Sequence, residues 1–82
     1  MNLFGNHIED WLVESLWRHA ENLRSFYTWQ MYTPAIDLLR SNSMSYELAY
    51  PLVRRLVSKW KREGRLIKIE GSKRNSKWEV IL

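Results

Sequence analysis

The sequence predicts a small α+β domain, mainly α, in which three helices and a short strand after the first of them precede a C-terminal β-hairpin. Three observations lead to this class. Apolar residues recur at helical spacing in three separate stretches, and the chain closes with two runs rich in Val and Ile around a polar turn. A hydrophobic content of 45%, with 13% aromatic residues, supports a packed core. With 82 residues there is room for one such core, so residues 1–82 are read as a single domain.

The first helix is expected over residues 6–23. Ile8, Leu12, Leu16, Ala20 and Leu23 share one stripe, while Asp10, Glu14, Arg18 and Glu21 lie opposite, with Glu14 and Arg18 placed to pair. Asn6 followed by Glu9 has the spacing of a capping box. Residues 26–31, aromatic with one Thr, suit a short strand. Thr33 and Pro34 then supply an N-cap and a first-turn proline for a second helix, which buries Ala35, Ile36, Leu38 and Leu39 and ends near Ser41 or Asn42. The polar residues 41–45 form a turn.

The third helix has Leu52, Val53, Leu56, Val57 and Trp60 as its inner stripe and stops at Gly64. Its start is irregular, because Pro51 has no N–H to offer residue 47; the helix is read as 49–63. Two strand candidates follow, residues 66–69 and 78–82, joined by the turn-forming residues 71–76.

Charge is unevenly distributed along the chain. Residues 1–50 carry three basic and six acidic side chains, residues 51–82 ten basic and three acidic, which together give the net +4. A basic excess clustered in one half marks a surface for polyanions. There is no cysteine, and hence no disulfide framework or thiolate chemistry. No apolar run exceeds three residues, so neither a membrane span nor a signal-peptide core is expected; with the lack of cysteine a cytoplasmic setting fits, nucleoid-associated if the chain binds DNA. His7 and His19 lack patterned carboxylate partners, and the three glycines are scattered. Catalysis, metal, cofactor and small-molecule ligand are therefore not expected.

The order helix, strand, helix, turn, helix, hairpin resembles the winged helix-turn-helix family along nearly the whole chain. The segment Leu52-Val-Arg-Arg-Leu-Val-Ser-Lys-Trp-Lys-Arg-Glu-Gly64-Arg-Leu-Ile-Lys is similar to that family's recognition helix running into its first wing strand. The resemblance implies a DNA-binding protein with helix 49–63 in the major groove of double-stranded DNA and hairpin 65–82 along the backbone.

By that resemblance, Ser45, Tyr46, Tyr50, Arg54, Arg55 and Ser58 are placed to reach bases. Arg54 is the first choice, since a bidentate arginine–guanine pair discriminates by about 1–3 kcal/mol. Lys59, Lys61 and Arg62 are assigned to phosphates or solvent. Packing against the connector is an equal alternative for Tyr46 and Tyr50. In the wing, Lys73, Arg74 and Lys77, with Ser72, Asn75 and Ser76, would touch phosphate or the minor groove, the alternative being a solvated tip. Trp60 and Trp78 are read as core.

Trp11 and Trp17 lie off the main stripe of the first helix. With Leu3 and Phe4 they outline a homodimer interface, unless the buried face of that helix is simply wide or they pack under residues 26–31. The expected function is sequence-specific DNA binding by a small transcriptional regulator. The alternative is a winged-helix protein-interaction module, and RNA or nonspecific nucleic-acid binding stands third.

Overall fold

Hydrogen bonding within the first eight residues decides where the first helix begins. Asn2–Leu3 (β1) and Asn6–His7 (β2) pair antiparallel across a turn at Phe4 and Gly5, whose φ values are 50° and 79°. Two successive positive φ angles suit a tight hairpin turn, although a bulky residue such as Phe4 rarely occupies that region. Ile8 N–H donates to the Met1 carbonyl at 2.7 Å, which holds this residue extended. The helix expected from Asn6 is thus shortened to Asp10–Leu23 (α1), and Glu9 sits at its N-cap without a side-chain cap bond. The amide of Asn6 donates instead to the carbonyls of Leu3 and Phe4.

This computed structural model describes residues 1–71 and 76–81. Ser72, Lys73, Arg74 and Asn75 of the expected wing tip, and Leu82, lie outside the described residues.

The stretch read as one strand divides in two. Ser25–Tyr27 is β3, and Thr28–Met31 is a 3₁₀ turn in which the Gln30 side chain accepts from Tyr27 N–H at 2.7 Å. The second helix, Tyr32–Ser41 (α2), continues directly from that turn, so Thr33 lies inside it and does not cap it. Pro34 remains within the first turn, where its missing N–H is tolerated. At the other end Ser43 adopts φ 57° while its N–H donates to Arg40 and that of Met44 to Leu39, a Schellman closure built on serine.

Ser45 then caps a 3₁₀ turn at Tyr46–Leu48 that runs into Ala49–Arg62 (α3). This irregular entry follows from Pro51 as expected. Gly64, φ 79°, closes α3 with a second Schellman motif, Gly64 N–H to Lys61 and Arg65 N–H to Trp60 at 2.8 Å.

Leu66–Glu70 (β4) and Lys77–Val80 (β5) form the expected hairpin, and β3 joins on the far side of β5 to give the antiparallel order β3-β5-β4. Phe26, Trp78 and Lys68 share one row of this sheet, and Leu66 lies opposite Val80. Buried residues of all three helices and the sheet make one core.

Every apolar residue of the α3 stripe is buried in that core. Trp17 is buried too, its ring centroid 5.1 Å from that of Trp60. Leu3 is likewise enclosed. The expectation that these two serve an outward interface is corrected: the buried face of α1 is wider than its main stripe, and the N-terminal hairpin folds Leu3 inward. Among the described residues, no helix is long and apolar enough to cross a membrane.

Candidate nucleic-acid interface

The amphipathic division of α3 creates a strongly cationic surface. With its apolar stripe anchored inside, the outward side chains of Arg54, Arg55, Ser58, Lys61 and Arg62 line a shallow, open depression that contains no carboxylate. Lys59 is exposed but is not part of this lining.

Several of the chain's other cations are engaged within the fold, although Arg24 and Lys68 have no such partner among the described residues. Arg18 pairs with Glu14 at 3.7 Å, and Arg65 both pairs with Glu63 at 3.3 Å and covers the Trp17 ring. Arg40 lies over Tyr46 and Lys77 over Tyr27. Arg55 donates from Nη1 to the Asn2 carbonyl at 2.8 Å, which ties the N-terminal hairpin to α3. Among the described residues, no hydrogen bond, ion pair or ring contact engages the side chains of Arg54, Ser58, Lys59, Lys61 or Arg62.

The negative end of the helix dipole favours Lys59, Lys61 and Arg62 in the last turn, but it does nothing for Arg54 and Arg55. Arg55 and Lys59, four residues apart, repel by a few tenths of a kcal/mol. Among the described residues, no carboxylate pairs with this face.

The remaining expected contacts are scattered. Ser45 is engaged as a cap, its hydroxyl oxygen accepting from Glu47 N–H at 3.3 Å. Tyr50 packs edge-on against Tyr32 at 5.0 Å, and Tyr46 lies under Arg40; both tyrosines thus brace the connection between α2 and α3 while keeping part of their surface exposed. Lys77 does not project from a loop, the place expected for it in the wing, but opens β5 and lies half-buried with Nζ 5.4 Å from the Tyr27 ring. The Tyr27 hydroxyl donates to Glu70 at 2.9 Å, and this bond, reinforced by the carboxylate charge, raises the phenol pKa above its ordinary value.

Thr28 and Trp29 are not singled out by the sequence, whereas Ser76 is expected in the wing. Thr28 and Ser76 meet Arg54 and Ser58 in a smaller cleft floored by Val57 and Trp78. Trp29, 57% exposed, stacks nearly parallel on Tyr27. Thr28 and Ser76 meet just beyond the paired ends of β3 and β5, Thr28 N–H donating to the Ser76 carbonyl at 3.0 Å. Two further aromatic side chains are exposed, Phe4 at 72% and Trp11 at 49%. Among the described residues, no group of three His, Cys, Asp or Glu side chains gathers to hold a metal ion.

Comparison of the chain with protein-family models, with curated proteins and with solved structures finds no significant match to any of them.

Proposed function

We propose that the chain is a winged helix-turn-helix module that binds double-stranded DNA, with α3 in the major groove and the β4–β5 hairpin beside the backbone. The observation that carries this reading is the carboxylate-free cationic face of α3, supported from within by a fully apolar stripe. An α-helix fits the major groove, and cations on its outward face meet phosphates and base edges there. The succession α2, turn, α3, hairpin supplies the scaffold that such a helix needs.

In this reading the protein is a small transcriptional regulator, and Phe4 and Trp11 offer a surface for a second copy. Their exposure, with that of Trp29, also favours a second reading, in which the module binds another protein through aromatic anchors.

Selection from a random pool of short duplexes at two salt concentrations, followed by sequencing of the retained DNA, separates the readings. Salt-sensitive binding with an enriched motif is the expected result, a palindromic motif indicating a dimer. Retention without enrichment would reduce the activity to nonspecific association. An absence of binding at low salt would overturn the DNA reading in favour of the protein-interaction module.

A further inference from the structure

Arg54 borders two surfaces at once, the open depression on α3 and the cleft between α3 and the base of the hairpin. The cleft has a volume of about 190 Å³ and is lined by Thr28, Arg54, Val57, Ser58, Ser76 and Trp78, with no acidic side chain. A water occupies about 30 Å³ of liquid, so this space is large enough for a tetrahedral anion with a few waters.

Its donors are free to serve a ligand. The Arg54 guanidinium has no partner among the described residues. The Ser58 hydroxyl is likewise unbonded, whereas the helical serines Ser15 and Ser41 donate to carbonyls one turn back at 2.9 and 2.8 Å. The Thr28 hydroxyl accepts from Trp78 Nε1 at 2.8 Å, and its own proton meets only a 3.4 Å contact with the Ser76 carbonyl. That carbonyl already accepts from Thr28 N–H, so the hydroxyl can turn to an anion without stranding it. Accepting from the indole also polarises the hydroxyl into a better donor.

We infer that this cleft is a phosphate seat. Arg54, Ser58 and Thr28 hold one phosphate, and Arg54 thereby fixes the register of α3 on DNA instead of reading a guanine. The inference rests on the DNA reading for the source of that phosphate, a backbone phosphodiester. Because Arg54 and Ser58 border both surfaces, a strand lying along α3 passes the cleft.

The test follows the Trp78 indole N–H resonance of ¹⁵N-labelled protein, assigned with Trp78→Phe, against sodium phosphate, sodium chloride at matched ionic strength, and a short duplex. Phosphate and duplex should each shift it saturably and chloride should not. Arg54→Gln should abolish the phosphate response, and Ser58→Ala should weaken it several-fold. Arg54→Gln should also lower affinity for all duplexes alike and reduce the salt slope by about one unit. Binding of duplex with no Trp78 response would overturn the seat and leave the DNA reading standing. A saturable response to phosphate without duplex binding would do the reverse, making free phosphate the ligand. A changed preference at one base pair in Arg54→Gln, with the salt slope intact, would overturn the role given to Arg54.

Discussion

Helices α1 and α3 are equal in length, 14 residues each, and both bury an apolar stripe, yet their outward faces are built on opposite principles. On α1, Glu14 and Arg18 satisfy each other and the surrounding charge is mostly acidic. On α3, Arg54, Lys59, Lys61 and Arg62 stand without partners among the described residues. Exposed ion pairs contribute little to stability, and so do exposed lone cations. The difference therefore concerns what each face is prepared to meet. A self-paired face needs nothing further, whereas a single-sign face is repulsive within the fold and attractive to a polyanion.

The same two helices meet at Trp17 and Trp60, and this contact is where the comparison is easiest to break. Trp17→Ala removes a buried indole and should destabilise the domain by about 3–5 kcal/mol, read from denaturant unfolding. Trp11→Ala, on the exposed side of the same helix, should change stability by no more than about 0.5 kcal/mol. Equal losses would mean that the outward face of α1 contributes to the fold as strongly as its inner one.

Charge reversal sharpens the contrast in function. Lys61→Glu combined with Arg62→Glu should weaken duplex binding about a hundredfold and lower the salt slope by about two units. Arg18→Glu on α1 should leave affinity within about twofold, after allowance for net charge. If both reversals weakened binding equally, only overall charge would matter, and the special status of the α3 face would be lost.

The smallest effects concern how the helices stop. α2 and α3 both end in Schellman motifs, but Ser43 holds the left-handed position in one and Gly64 in the other. Nothing lies within 4 Å of a Cβ built on Gly64, so Gly64→Ala should cost only the backbone strain of about 1 kcal/mol. Ser43→Gly should stabilise by roughly 0.5 kcal/mol, strain relief being partly offset by greater freedom of the unfolded chain. Thermal melts of the two variants, shifted in opposite directions, would show that the two closures are alike except for the residue that bears the strain.

Much of the scaffold was legible because its causes are local. The inner stripe of α3, its irregular entry at Pro51, its termination at Gly64 and the β4–β5 pair follow from spacing, a missing N–H and a residue tolerant of positive φ. The single-sign outward face of α3 was legible for the same reason, since the apolar stripe alone determines which residues lie opposite. The N-terminal hairpin was not. Strands of two residues have no alternation to detect, and Asn6 with Glu9 carries a capping signal that the Ile8 bond to Met1 overrides.

By itself, then, the sequence determined the helical register, the breaks between elements and the sign of the charge on each face, because these depend on neighbours within a few residues. The tertiary structure alone decided which indole of α1 is buried and that Leu3 turns inward. It also placed Thr28 and Ser76 beside Arg54 and Ser58. Those outcomes depend on where distant segments come to rest, and side chains separated by tens of residues share a cleft only after the sheet and α3 have packed together.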